Sequence, residues 1–99
     1  MNAKQFALDE NSVVWRDLND EVIVLELATS TYLTLNGSGR LLWMRLVGGT
    51  DLLGLVSVLQ EEYEIPEAVA VADAQAFIDA LTERSLLTYV NQVDIDSPS

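Results

Sequence analysis

The sequence has no cysteine and no histidine, only two prolines, and five basic residues against sixteen acidic ones. Each shortage closes off a class of chemistry. Without cysteine there is no disulfide framework and no thiol nucleophile. Without histidine as well, the usual zinc, haem and iron–sulfur ligand sets are missing. Serine–histidine and cysteine–histidine catalysis are excluded on the same ground. Carboxylate-only metal sites stay open. The five cations, Lys4, Arg16, Arg40, Arg45 and Arg84, are scattered, and the formal net charge is −11. Such a domain is repelled by phosphate backbones and anionic lipid, so neither a nucleic-acid nor a membrane partner is expected. The same charge favours basic or neutral peptides and solubility. The first ten residues hold no apolar stretch of signal-peptide length. No window approaches the roughly 18 apolar residues of a membrane span. The chain reads as cytoplasmic.

What is present is a core. The 99 residues are 49% hydrophobic and 21% charged, which suits one small packed domain rather than an acidic disordered tail. Residues 1–11 read as a polar lead-in able to add a short strand. Val13-Val14-Trp15 is β-branched and aromatic, and Asp17-Leu18-Asn19-Asp20 is a turn cluster. Residues 22–27 run almost wholly apolar, as a central strand does. After Ala28-Thr29-Ser30, residues 31–35 alternate, Leu33 and Leu35 on one face and Tyr32 and Thr34 on the other. Three strands on two short connections make an antiparallel meander.

The pattern changes at Asn36. Asn36 or Ser38 can cap a helix containing Gly39, Leu42, Trp43 and Leu46, which Gly48-Gly49 ends. Thr50 is the expected next cap, ahead of Leu52, Leu55, Val56, Leu59 and Tyr63 at helical spacing. Pro66 and Glu67 suit the start of a long third helix, which Ser85-Leu86-Leu87 closes. Its expected core stripe is Phe77, Ala80 and Leu81. From Thr88 onward fraying is expected, with 89–99 a flexible acidic tail and 12–88 the folded domain. The fold class is therefore α+β: a three-stranded antiparallel meander followed by three α-helices, winged-helix-like, with the helices covering the sheet.

Catalytic signals are poor. Glu61 and Glu62 are adjacent on a helix and point to different sides; Asp94 and Asp96 lie in the tail. Gly37-Ser38-Gly39 lacks the lysine and spacing of a phosphate loop. No enzyme activity, cofactor or metal is expected. Neither later helix is built to approach phosphate: the second carries no Lys or Arg. Two features suggest binding instead. The third strand is an edge of the meander without charge or proline, and an open edge can accept an extended peptide as a further strand. On the third helix Val71, Ala74 and Ile78 adjoin the core stripe. If that face flanks the edge, the pair form an apolar groove with a hydrogen-bonding wall. Asp73 is then placed to meet a basic residue or a backbone group. Coverage of the edge by the N-terminus or a second copy, a wide core stripe, and a winged-helix regulator are the competing readings.

Leu35-Asn36-x-x-Gly39-x-x-x-Trp43, the helix ending in Tyr63, Asp73-x-x-x-Phe77-Ile78-x-x-Leu81 and the closing Leu86-Leu87 together resemble the PqqD-like family. These are precursor-peptide recognition elements of ribosomal peptide natural-product pathways. The resemblance spans about residues 12–88, with Ser85 where the family often has glycine. It implies a winged-helix-like unit of three strands and three helices that binds the leader of a precursor peptide. The leader would add antiparallel to the third strand at Thr31, Tyr32, Leu33, Thr34 and Leu35. It would pack against Asp73, Ala74, Phe77, Ile78 and Leu81, with Val69 and Val71 beside them. Asn36, Gly39 and Trp43 would be structural, as cap, close approach and core. The chain looks most like the stand-alone recognition protein of lasso-peptide pathways, working beside a leader peptidase and an ATP-dependent cyclase. It is expected to be monomeric when bound, with a dimer through the same edge as the alternative. A Tyr-x-x-Pro leader segment would sit on Phe77, Ile78 and Tyr32. A chaperone of the PqqD type in another peptide pathway is the other family reading.

Overall fold

The computed structural model describes residues 4–91, with side chains described for 5–88. In chain order the elements are β1 (Lys4–Leu8), β2 (Val13–Asp17), β3 (Glu21–Glu26), β4 (Thr31–Asn36), α1 (Gly37–Val47), α2 (Leu52–Tyr63), α3 (Glu67–Glu83) and β5 (Leu87–Asn91). Strands β2, β3 and β4 form the expected antiparallel meander, in that order, and three helices follow. The third strand of the sequence reading is thus β4.

The meander sorts its side chains by parity. Val13, Val22, Val24 and Glu26 are buried on one face, with Leu33 and Leu35 half-buried beside them. This face takes α1, whose Leu42, Trp43 and Leu46 are buried, and the core continues into Leu55, Val56 and Leu59 of α2. Trp15 of β2 meets Trp43 edge-to-face, with centroids 6.2 Å apart and planes at 72°, a favoured aromatic geometry. Among the described residues two ion pairs fasten the sheet to the helical part. Arg40 grips Asp17 with two bonds of 2.9 and 2.8 Å, tying α1 to β2. That bond, with the backbone N–H of Asn19, holds the Asp17 carboxyl below the usual carboxylate range. Arg84 bonds the buried Glu26, tying the end of α3 to β3.

Residues 88–91 correct the expected fraying. They belong to β5, which pairs with β1 over its whole length, from Lys4↔Asn91 to Leu8↔Leu87. Phe6 and Thr50 then exchange backbone bonds of 2.6 and 3.1 Å, docking this two-stranded ribbon on the α1–α2 connection. The lead-in therefore does add a strand, and its partner is Leu87-Thr88-Tyr89-Val90, a run of β-formers too short to stand out before an acidic tail. Residues 92–99 of the expected tail lie outside the described residues. Two capping expectations also change. Asn36 occupies the cap position of α1 but its side chain makes no capping bond. Asp51, not Thr50, caps α2, accepting from the Gly54 N–H at 2.9 Å, because Thr50 is taken up by Phe6. Gly39 makes an ordinary contact; a Cβ there would lie 3.6 Å from Leu35.

The end of α3 calls for a backbone conformation at position 85 that suits glycine better than serine. Leu86 N–H bonds the Leu81 carbonyl and Ser85 N–H bonds that of Thr82, a Schellman closure. This requires a left-handed residue at 85, and Ser85 has φ +61°. A Cβ is disfavoured there. Ser85→Gly is expected to stabilise the fold by about 0.5–1 kcal/mol, read as a higher thermal midpoint; a lower midpoint would show that the closure does not strain Ser85.

Candidate functional site

The site is built around one unpaired backbone. In the β2–β3 ladder, Leu27 N–H bonds Ser12 O at 2.9 Å and Leu18 N–H bonds Glu21 O at 2.8 Å. These two pairs fix the parity: odd-numbered residues of β3 face β2, so Val22, Val24 and Glu26 bond β4. Their partners are Leu35, Leu33 and Thr31. Tyr32 and Thr34 are left with N–H and C=O directed outward, and no strand pairs with that edge among the described residues. Strand residues 31–35 carry no charge, proline or bulge to blunt it.

A cleft opens beside the end of this edge. At Gly37, φ +53°, the chain turns from β4 straight into α1, and this brings Ser38 against the far end of α2. The cleft holds ≈470 Å³ and is lined by Ser38, Leu59, Tyr63, Ile65 and Asp73. Leu59 and Ile65 form an apolar floor, while Ser38, Tyr63 and Asp73 are exposed and bring hydroxyls and a carboxylate to the rim. The Asp73 carboxylate has no hydrogen-bond partner among the described residues, so it is available to a donor from outside.

The expected helix wall divides in three. Ala74, Ile78 and Leu81 are buried, and with Ala70 they are the core stripe of α3. The expected stripe of Phe77, Ala80 and Leu81 is corrected: Ala80 is exposed and Phe77 is only half-buried. The reason is that α3 packs mainly on α2, and the small Ala70 and Ala74 allow the two helices to approach closely. Val69, Asp73 and Phe77 fall on one i, i+4, i+8 row along the cleft side of the helix. Val71, two residues from Asp73, points to the other flank. The Tyr32 side chain is 68% exposed on the outer face of the sheet, away from the helices. It therefore does not join Phe77 and Ile78 in one pocket, and Ile78 is itself closed off in the core. What the structure brings together is the β4 edge, the cleft and the Val69–Asp73–Phe77 row. Sequence reading missed Leu59, Tyr63 and Ile65 as lining because each also fits a core or helix-end role. The lone Ile65 between two helices was the available signal.

A search of curated proteins finds no significant match. Among solved structures the chain is similar to one described as TbiB1 in complex with the TbiA(beta) leader peptide. The identity is 28%, the TM-score 0.75, and the match covers 91% of this chain and 99% of that one. The family model for coenzyme PQQ synthesis protein D (PqqD) matches residues 21–87, from β3 through the start of β5. The match takes in β4, all three helices and the cleft between them, and on it this chain belongs to the PqqD family.

Proposed function

We propose that this protein is a leader-peptide-binding adaptor of lasso-peptide biosynthesis. It captures the leader of a precursor peptide as an added strand on β4 and presents it to a leader peptidase and a cyclase. It does no chemistry itself, acts in the cytoplasm where the precursor is made, and works as a monomer once the peptide is bound. The observation that carries this reading is the open backbone of Tyr32 and Thr34 beside the cleft. Strand addition supplies backbone hydrogen bonds, and pockets for alternate side chains supply sequence choice. An aromatic or aliphatic anchor in the cleft contributes about 1.5–3 kcal/mol on burial, enough with the backbone bonds for micromolar binding or better. The Asp73 carboxylate and the net charge of −11 favour a leader that is basic or neutral around the anchor. Similarity to a protein solved with a leader peptide supports the same reading.

The test is isothermal titration with a synthetic leader bearing a Tyr-x-x-Pro segment, against a scrambled peptide of equal charge. Saturable one-to-one binding of the leader alone is expected. Equal binding of both would reduce the site to an acidic surface that collects cations. Binding only of a leader from another ribosomal peptide pathway would keep the edge and change the pathway.

A further inference from the structure

The two ends of the peptide groove carry opposite charge. Asp73 lines the cleft with Ser38, just past the end of β4. Arg84, at the far end of α3, bonds Glu26 through Nη1. Glu26 stands directly across from Thr31, the first residue of β4. Helix α3 therefore runs antiparallel to β4, starting beside the strand's end and finishing beside its start. The lengths agree. Asp73 and Arg84 are separated by about 16 Å of helix rise, and β4 spans about 17 Å of extended chain. Glu26 and Thr31 belong to the row of the sheet that faces the helices. The other neighbour of Glu26 in that row, Val13 of β2, is buried, whereas Thr31 is exposed. Solvent thus reaches the ion pair from the β4 side, and the Arg84 side chain is 43% exposed. A guanidinium carries five donors in a fixed plane, and the bond to Glu26 occupies one side of it.

A strand added antiparallel to β4 runs in the same direction as α3. Residues directly opposite one another share a face of the sheet. The inward side chains of the peptide therefore meet Leu35, Leu33 and Thr31 in turn, passing from the Asp73 end of the groove to the Arg84 end. We propose that Arg84 selects a carboxylate of the bound peptide at the third of these positions, the one facing Thr31. Glu26 is the positioning residue, since it holds the guanidinium at that end of the groove. Asp73 repels a carboxylate and favours a cation at the other end. The groove reads the order of charge along the leader, a donor first and a carboxylate about four residues later. In a chain of net charge −11, an acid is disfavoured over most of the surface. One site that accepts an acid then discriminates by position, because every other register is penalised. A charge-assisted bond to a guanidinium has the strength and direction for this. The inference rests on the strand-addition reading above, and adds the residue that sets which leader is accepted and which way it lies.

The test moves a glutamate one residue at a time through the synthetic Tyr-x-x-Pro leader, with glutamine at the same position as the neutral reference. Each pair is titrated on the wild-type protein. The ratio of Glu to Gln affinity should peak at one position, about threefold to tenfold in favour of Glu, and fall below one toward the N-terminal end of the leader. The peak should shrink at high salt. Lysine moved in the same way should bind best about four residues before the glutamate peak. Arg84→Gln should bring the peak ratio to about one, and Arg84→Lys, which keeps a cation beside Glu26, should retain part of it. The ratio compares two peptides on one protein, so a variant that merely loosens α3 lowers both affinities and leaves the ratio in place. A flat scan on wild type, a peak that survives Arg84→Gln, or a glutamate peak on the N-terminal side of the lysine peak overturns the proposal and leaves strand addition standing. A Thr34→Pro protein that binds the leader as wild type does overturns strand addition, and the proposal with it.

Discussion

Thr34→Pro should abolish most leader binding while leaving the domain folded. The Thr34 N–H points out of the sheet, so proline removes no bond to β3; edge positions of this kind tolerate it. An incoming strand, however, loses a donor, and one of its carbonyls is buried without a partner. The lost bond and the stranded acceptor together amount to about 2–3 kcal/mol, a weakening of about 30- to 150-fold. Titration with the leader peptide measures this directly. Leu33→Pro is the informative contrast. Its N–H belongs to the ladder with Val24, so proline there breaks the sheet itself and should lower the thermal midpoint. A folded Thr34→Pro protein with wild-type affinity would mean that the peptide does not add to β4.

The second large effect is on stability. Trp43 is fully buried, at the contact between the sheet and α1, with Trp15 edge-on to it. Trp43→Ala removes the largest of the fully buried side chains and should cost about 3–5 kcal/mol. Small domains have about 5–15 kcal/mol in all, so the urea midpoint should fall by a large fraction. The indole N–H has no hydrogen-bond partner among the described residues, so Trp43→Phe loses only ring volume and also removes an unsatisfied donor. It should be much the milder variant. Equal losses for Ala and Phe would show that the N–H, and not the packing, matters at this position. Because α1 starts where β4 ends, a loosened α1 should also weaken leader binding, but only near the unfolding transition.

Much of this architecture was legible in local pattern. Alternation in residues 31–35, the apolar run at 22–27 and the Asp17-Leu18-Asn19-Asp20 turn specify the meander, because strand register is dictated by which face is apolar. Helical spacing in 42–46 and 52–63 specifies the first two helices, and the bare composition of β4 marks the open edge. The third helix was legible as a helix but its orientation was not. Helical spacing puts Phe77 in the buried stripe with Ala80 and Leu81, whereas Ala70 and Ala74 are buried with Ile78 and Leu81 because a close neighbour needs small residues. No property of α3 alone distinguishes these, since the neighbour is α2.

The same division runs through the candidate site. Residue order and type are enough to mark β4 as a peptide edge, since side-chain alternation and the lack of charge are properties of a single strand. Pairing between β1 and β5, the cleft of Ser38, Leu59, Tyr63, Ile65 and Asp73, and the turning of Tyr32 away from Phe77 depend on segments far apart in the chain. Their positions follow from packing free energy shared among β4, α1, α2 and α3, which no window of sequence contains. The chain states which edge is open, and the packed fold determines which side chains stand beside it.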